Sequence, residues 1–350
     1  MLFRSTPFAE LAPPVCPECG AQVAPALLAC PSCHRLVHVE QLKHLAAEAD
    51  QAKRTGDASA ELTAWRQALD LLPADTTQHR TVATRVAELS RAVDRQPPAG
   101  KQGSRLGKGA AGGLGAIGVL LAKFKFALVF VLTKAKLLLL GLTKASTLFS
   151  MLLSMGVYWT IWGWKFALGF VASIYIHEMG HVQALTRYGI KATAPMFIPG
   201  VGAFIRLKQY PTDRREDARV GLAGPIWGVG AAAAAYAIYF ATRAGIWGAI
   251  AHVGAFINLF NLIPVWQLDG GRGFRALTRR QRWIAVGVIG LAWLLTSEGL
   301  LVLLLVAAAA AAWFGDAAPE PDGTALLQYT WLVAVLSLMT RISVAGAARR

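Results

Sequence analysis

The sequence predicts an α-helical polytopic membrane protein with about five to seven membrane segments and a small membrane-associated β-hairpin. Of its 350 residues, 55% are hydrophobic and only 16% are charged, with a mean hydropathy of +0.44. Soluble domains carry about 25% charged residues. The composition also divides the chain, because residues 1–110 are polar and most of the later sequence is apolar. We therefore expect a cytosolic N-terminal part, which includes an α-helical hairpin, ahead of the membrane part.

The net charge of +15 has a simple origin in such a protein. Basic residues flank membrane segments on the cytoplasmic side, so no nucleic-acid partner is expected. The stretch from Met1 to Pro25 lacks the continuous apolar run of a secretory signal peptide. These features predict a multi-pass protein of the cell inner or plasma membrane with a cytoplasmic N-terminus.

Residues 1–35 contain all four cysteines of the chain, in two C-x-x-C motifs ten residues apart: Cys16, Cys19, Cys30 and Cys33. Four thiolates at this spacing are typical of a closed, structural zinc site. The segment resembles a zinc ribbon. Two disulfides are the alternative, which a cytosolic location disfavours. His34 and His38 are further candidate ligands, although four cysteines suffice.

Residues 36–95 show helical spacing of apolar residues and predict three helices. Gly56-Asp57 separates the first helix from a second over residues 58–72, and Pro73 precedes a third over residues 76–93. The pattern resembles a tetratricopeptide-type hairpin of at most one and a half repeats, fewer than the about three needed for a continuous core. The segment is interpreted either as a module that binds a protein partner or as a helical spacer.

Two segments link this part to the membrane core. Residues 96–113 are rich in glycine, proline and basic residues, which predicts a flexible linker near anionic lipid headgroups. Residues 114–142 are apolar but carry four lysines. An interfacial helix is favoured, and a membrane span with snorkelling lysines is the alternative.

Residues 143–283 are predicted to form the core of the membrane part. Four spans are expected there, at residues 145–164, 166–187, 220–241 and 246–265. The basic segments 188–219 and 270–282 are expected to face the cytosol. Residues 284–350 then contain apolar pieces at 284–295 and 300–314, either two short spans or a hairpin, and a last span at 326–339.

The second predicted span carries the sequence H-E-M-G-H at residues 177–181. On a helix, positions i and i+4 share one face. His177 and His181 can therefore hold one metal ion, with Glu178 beside it as a candidate general base. Polar groups at membrane depth are costly and mark functional sites.

A catalytic zinc site generally has three protein ligands. Asp269 is the sole carboxylate between Asp217 and Glu298 in the sequence. It lies near the cytosolic end of its span, at the expected depth of the two histidines. Pro264 and Gly270-Gly271 are expected to break the helix there and to let the carboxylate turn toward the metal.

With these residues the chain resembles the site-2 protease family of intramembrane zinc metalloproteases, over about residues 166–275. The matching motifs are H-E-M-G-H at 177–181, A-G-P at 223–225 and N-L-I-P-V-W-Q-L-D-G-G at 261–271. The resemblance implies a catalytic Zn²⁺ on His177, His181 and Asp269, with Glu178 as catalytic base and Asn261 in contact with substrate. Two positions depart from the family pattern: Gly228 stands where an Asn is frequent, and Trp266 where a second Pro is frequent.

The segment from Gly202 to Tyr210 alternates apolar and polar residues toward its end, which predicts a strand. Four of its residues are expected to bind the substrate by strand addition: Gly202, Ala203, Phe204 and Ile205. The predicted function is hydrolysis of a peptide bond in or near a transmembrane helix of a membrane protein, in the lipid bilayer. Two Zn²⁺ ions are expected, one catalytic and one structural.

Two competing interpretations remain. A different class of membrane zinc protease uses H-E-x-x-H with a glutamate as third ligand, for which Glu298 is the candidate. Alternatively, the chain is a non-catalytic membrane scaffold that recruits partners through the ribbon and the helical module. Zinc stoichiometry separates the enzyme from the scaffold.

Overall fold

A computed structural model of the chain is mostly helical, at 72% helix, with one small antiparallel sheet. It describes residues 15–24, 27–96, 145–200, 202–205, 211 and 213–343. The chain divides into two compact units, residues 1–98 and 99–350. The predicted interfacial helix at 114–142, the predicted linker beyond residue 96 and the predicted strand residues 206–210 lie outside the described residues.

The first unit begins with two cysteine turns and continues in three helices: α1 (Val39–Thr55), α2 (Ala58–Leu69) and α3 (Thr77–Arg95). Gly56 ends α1 in the left-handed conformation with φ 73°, as favoured for glycine at helix ends. The Asp57 and Thr76 side chains cap α2 and α3 by accepting from the backbone N–H groups of Ala60 and His79. The breaks predicted from Gly56-Asp57 and Pro73 are thus present.

The packing of these helices follows the predicted apolar faces. Leu45, Ala49 and Ala52 of α1 are buried, as are Leu62 and Ala68 of α2. One buried carboxylate, Glu61 of α2, accepts from Arg85 of α3 at 2.7 Å. A buried charge needs such a partner, so this ion pair fixes how α2 and α3 meet.

The second unit contains eight helices and the sheet among its described residues. The elements are α4 (Ala145–Trp162), α5 (Trp164–Arg187), β1 (Met196–Ile198), β2 (Gly202–Phe204), α6 (Arg214–Thr242), α7 (Gly245–Asn261), α8 (Asp269–Arg275), α9 (Arg279–Thr296), α10 (Gly299–Phe314) and α11 (Gly323–Thr340). Within the described residues, α6 and α11 are long and apolar enough to cross a membrane, and α10 is a shorter apolar helix.

Several boundaries differ from the sequence prediction. Helix α6 begins at Arg214 rather than at residue 220, because the Asp213 side chain caps it by accepting from Glu216 N–H at 2.8 Å. Helix α7 ends at Asn261 rather than at residue 265, ahead of Pro264. The segment after it is not simply a loop, since Asp269 begins the short helix α8. The strand described from Gly202 onward covers three residues.

The β-hairpin is attached to α4. Strand β1 pairs antiparallel with β2, with Phe197 opposite Ala203. Thr147 Oγ1 donates to the Pro195 carbonyl at 2.8 Å, and the backbone N–H of Phe197 donates to Ser150 Oγ at 3.1 Å. Farther along α4, Tyr158 Oη accepts from the backbone N–H of Gly200 at 3.0 Å. A two-stranded hairpin is marginal alone, so these bonds to α4 hold it in place.

Helix α6 lies at the centre of the second unit and packs against α5, α7, α8 and α11. Its N-terminal turn is tied to the acidic segment before α11 by ion pairs from Arg215 to Glu320 and from Arg219 to Asp322, both at 2.8 Å. Arg282 of α9 is buried and donates to the carbonyls of Phe274 and Ala311. Carbonyl acceptors satisfy its buried donors, and they join α8, α9 and α10.

Candidate metal centre and proteolytic site

Two histidines and one aspartate from different helices meet inside the second unit. His177 and His181 lie one turn apart on α5, and Asp269 is the first residue of α8. The two Nε2 atoms are 3.2 Å apart. The Asp269 carboxylate oxygens lie 3.1 Å from His177 Nε2 and 3.3 Å from His181 Nε2. All three residues are buried.

These separations fit a zinc ion. Zinc binds nitrogen and carboxylate oxygen at about 2.0–2.2 Å, and tetrahedral geometry then places neighbouring ligand atoms about 3.3 Å apart. The three observed separations, 3.1, 3.2 and 3.3 Å, lie close to that value. The carboxylate beside the histidines is Asp269, and Glu298 is not in this cluster.

Both histidine rings are held from behind by hydrogen bonds. His181 Nδ1 donates to the Val220 carbonyl at 2.7 Å. His177 Nδ1 lies 2.8 Å from Asn258 Oδ1, and Asn258 Nδ2 donates to the Gly254 carbonyl at 2.7 Å. Because that second bond uses the amide N–H, the oxygen faces the ring and Nδ1 is the protonated nitrogen. Such outer partners fix the tautomer that leaves Nε2 free for a metal.

Sequence reasoning missed Asn258. The available signal was a polar residue on an apolar helix, three residues before Asn261 and therefore near the same face. The structure also accounts for Gly228, which stands where the family frequently has Asn. A Cβ on Gly228 would lie 2.0 Å from Asn258 Oδ1. The amide of Asn258 thus fills the space beside position 228, and glycine leaves room for it.

The A-G-P element of α6 packs closely against the two histidines. A Cβ on Gly224 would lie 2.2 Å from His181 Nε2 and 2.7 Å from His177 Nε2. On the facing helix, a Cβ on Gly180 would lie 2.4 Å from the Ala223 carbonyl oxygen. Close approach of the two backbones explains both glycines.

The position of Asp269 follows from the packing of α8. A Cβ on Gly270 would lie 1.9 Å from the Leu262 carbonyl oxygen. Only glycine, which has no side chain, therefore fits at this position in the first turn of α8. Asp217 of α6 accepts from Arg272 Nε at 2.7 Å and from Arg275 Nη2 at 2.8 Å. These ion pairs hold α8 against α6. They thereby also fix the position of Asp269, the first residue of α8.

Two cavities meet at the site. One, of about 860 Å³, is lined by polar residues that include Asp213, Asp217 and Arg272. The other, of about 730 Å³, is lined by mainly apolar residues from α4, α5, α7 and the hairpin. Both reach His177 and Glu178. Glu178 is buried next to the histidines and is reached by both cavities.

The residues predicted to contact substrate fall around these cavities. Asn261 and Ala203 line both, Gly202 lines the apolar one and Ile205 the polar one. Phe204 lies in β2. The structure therefore brings the predicted strand and the predicted metal ligands to one place.

The four cysteines form a second cluster, in the first unit. Sγ of Cys16 lies 3.7 Å from Sγ of Cys33, and Sγ of Cys19 lies 3.6 Å from Sγ of Cys30. Zinc–sulfur bonds of about 2.3 Å place tetrahedral sulfurs about 3.8 Å apart. All four thiols are free, and neither His34 nor His38 joins the cluster. The arrangement is consistent with a zinc ribbon rather than two disulfides.

The two cysteine turns have matching local geometry. Cys16 N–H donates to the Ala21 carbonyl at 2.8 Å, and Cys30 N–H donates to the Arg35 carbonyl at 2.8 Å. In each turn the backbone N–H of the second cysteine hydrogen-bonds the first sulfur. This lowers the pKa of the Cys16 thiol and lowers that of Cys30 to about 6. The thiolate is the form that binds a metal.

Comparison with known proteins agrees with this geometry. Residues 165–245 match the family described as Peptidase family M50. A zinc metalloprotease of Methanocaldococcus jannaschii is 29% identical over 126 residues, which cover 34% of this chain and 36% of the relative. The chain thus spans about a third of that relative's length. No solved structure matches the chain. Over residues 165–245, 81 of the 350, the chain is thus similar to M50 peptidases, a family of membrane-embedded enzymes.

Proposed function

We propose that the protein is an intramembrane zinc metalloprotease that cleaves a peptide bond in or near a transmembrane helix of a membrane protein. The arrangement of His177, His181 and Asp269 supports this most directly, because three buried ligand atoms lie 3.1–3.3 Å apart beside Glu178. An N-terminal cluster of four cysteines supports a second, structural Zn²⁺.

The chain's own residues supply the remaining chemistry. When bound, zinc lowers the pKa of water toward neutrality and polarises a carbonyl group. Glu178 takes the proton from the attacking water and gives it to the leaving amide nitrogen. Asn258 and the Val220 carbonyl hold the two histidine rings in orientation throughout. Asn261, on the wall of both cavities, hydrogen-bonds the substrate backbone near the scissile bond.

The hairpin receives the substrate as an extended segment. A peptide bond within a helix is shielded by its own hydrogen bonds, so the substrate helix must unwind before cleavage. Among the described residues β2 pairs with β1 alone, which leaves its second edge for an added strand. Ala203 of β2 lines both cavities, so a strand added there would run toward Glu178.

The topology follows from charge and hydropathy. Helices α4 to α7 and α9 to α11 are the proposed spans, seven in number and within the predicted range. The basic segments 188–219 and 270–282 then face the cytoplasm, together with the N-terminal ribbon and helices. In this arrangement the polar cavity opens to the cytoplasm, and the first unit is available to a cytosolic protein partner.

Glu178→Gln tests the proposal. The full chain in lipid vesicles is expected to lose cleavage of a single-span peptide while keeping two Zn²⁺ per chain, since glutamine cannot accept the proton. His177→Ala is expected to lose one Zn²⁺ and keep the one on the cysteines. Comparing membrane protein fragments in cells with wild type and Glu178→Gln would identify the substrate. Retained cleavage by Glu178→Gln would refute the mechanism, and a wild-type content of one cysteine-bound Zn²⁺ would favour the scaffold.

A further inference from the structure

Trp266 combines a strained backbone with an exposed side chain. Its φ angle is 47°, in the left-handed region that bulky residues rarely adopt. Its side chain is 83% exposed. Strain of this kind persists only where surrounding structure imposes it, and it gathers at functional sites.

Neighbouring contacts fix the turn that contains Trp266. Leu268 N–H donates to the Val265 carbonyl at 3.2 Å. Arg275 Nη1 donates to the Trp266 carbonyl at 3.3 Å, and a Cβ on Gly271 would lie 3.1 Å from that same oxygen. These bonds involve backbone groups, so they would hold glycine or asparagine at position 266 with less strain. The indole is therefore not needed to form the turn.

The indole lies where a substrate would pass. Trp266 lines the apolar cavity that reaches His177 and Glu178, and Gly200, Gly202 and Ala203 of the hairpin region line the same cavity. Because these residues have no side chain or only a methyl group, that part of the cavity wall consists mostly of backbone atoms. Trp266 is also three residues before Asp269, so the two Cα atoms are at most about 10 Å apart. An extended substrate advances about 3.3 Å per residue, so this Cα separation corresponds to the length of about three substrate residues.

We propose that Trp266 determines specificity by packing against a large apolar side chain of the unwound substrate, within three residues of the cleaved bond. The hairpin binds the substrate backbone, which carries little sequence information, and the indole selects the side chain. An exposed aromatic ring offers a large, rigid apolar contact of the kind that dominates binding. This inference rests on the proposed proteolytic function.

Cleavage of varied substrates tests the specificity. Single-span peptides would carry Gly, Ala, Leu or Phe at each position within three residues of the cut. Wild type is expected to favour Leu or Phe at one position. Trp266→Ala is expected to lower kcat/KM for those peptides about 10- to 100-fold and to leave the Ala peptides nearly unchanged. Trp266→Phe should retain the preference, as should the control Trp313→Ala, which removes a 63% exposed indole from the end of α10.

Two further measurements separate specificity from a structural role. Trp266→Gly relieves the strain of the left-handed backbone, so its thermal unfolding midpoint should be at least that of wild type and its zinc content unchanged. Its preference for a large apolar substrate side chain should nevertheless be lost. A photoreactive phenylalanine analogue at position 266, in the Glu178→Gln background, should crosslink to the peptide, whereas the same residue at position 313 should not.

The outcomes are distinct. An unchanged side-chain preference in Trp266→Ala, or crosslinks from position 266 to lipid alone, would overturn the role of Trp266. If a photoreactive residue at position 203 crosslinks to the peptide and one at position 266 does not, the role of Trp266 is refuted, whereas the proposed protease function is retained. Absence of Glu178-dependent cleavage by wild type would overturn both.

Discussion

Replacing Asn258 by alanine should weaken the catalytic zinc site without touching a metal ligand. Asn258 Oδ1 accepts from His177 Nδ1 at 2.8 Å, and both residues are buried. In the alanine variant the Nδ1–H loses its partner in a water-poor environment. A buried donor left unsatisfied costs about 1–3 kcal/mol, which corresponds to about 5- to 150-fold in an equilibrium constant. Outer hydrogen-bond partners of zinc ligands typically contribute 10- to 100-fold to metal affinity or activity.

The assay is zinc retention by the full chain during titration with a chelator. Asn258→Ala should release one of the two Zn²⁺ ions at about 10- to 100-fold lower chelator concentration, while the cysteine-bound ion is unaffected. Asn258→Asp keeps an oxygen acceptor for His177 but loses the N–H that Asn258 donates to the Gly254 carbonyl, so it should recover part of the affinity. Thr296→Val is the control, because it removes a buried hydrogen bond on α9, from Thr296 Oγ1 to the Ala292 carbonyl.

Wild-type zinc affinity in Asn258→Ala would refute this account of how His177 is oriented. A loss equal to that in Thr296→Val would have the same effect, since it would indicate general destabilisation. The expected pattern is a selective loss in the alanine variant with partial recovery in the aspartate variant. General loss of packing at position 258 would not produce that recovery.

Two other predictions concern the metal sites. Gly224→Ala should eliminate the catalytic Zn²⁺ and cleavage, because its Cβ would lie 2.2 Å from His181 Nε2. Gly287→Ala is the control, since no atom lies within 4 Å of its Cβ. Zinc analysis and peptide cleavage should both give wild-type values for this control. A Gly224→Ala variant that binds two Zn²⁺ ions would contradict the structure of the site. Cys30→Ser should lose only the N-terminal Zn²⁺ and keep cleavage of a single-span peptide in vesicles; loss of both ions would show that the sites are coupled.

The clusters of candidate metal ligands could be predicted from the sequence, because metal binding restricts the residue types. H-E-x-x-H on a helix places two imidazoles on one face, and the shortage of acidic residues in the apolar sequence left Asp269 as the matching carboxylate. The cysteine cluster followed from spacing in the same way. In both cases a rare residue type in a fixed pattern carries the information, so little knowledge of packing is needed.

Asn258 and the extent of the hairpin could not be found this way. The role of Asn258 depends on α7 passing behind α5 at a given rotation, which is a tertiary property. Helix α6 began earlier than hydropathy indicated because the cap at Asp213 is polar and lies outside the apolar run. The hairpin is held by hydrogen bonds between α4 and residues 195, 197 and 200, which lie 42 to 48 positions later in the sequence. Alternation of apolar and polar residues within a strand does not reveal such contacts.

The glycines of α6 show how the sequence produces the site as a whole. Gly221, Gly224 and Gly228 are spaced at i, i+3 and i+7 and therefore share one face of the helix. Along that face they contact in turn α8 beside Asp269, the two histidines, and Asn258. Each glycine inside a helix costs about 1 kcal/mol relative to alanine, so this face gives up about 3 kcal/mol of helix stability. A methyl group at any of the three would meet a neighbouring atom at 2.0–2.6 Å, and zinc–ligand distances in a well-formed site stay within about 0.2 Å of their usual values. Because these three positions of α6 carry no side chain, α5, α7 and α8 can pack closely enough to bring their polar groups to one point.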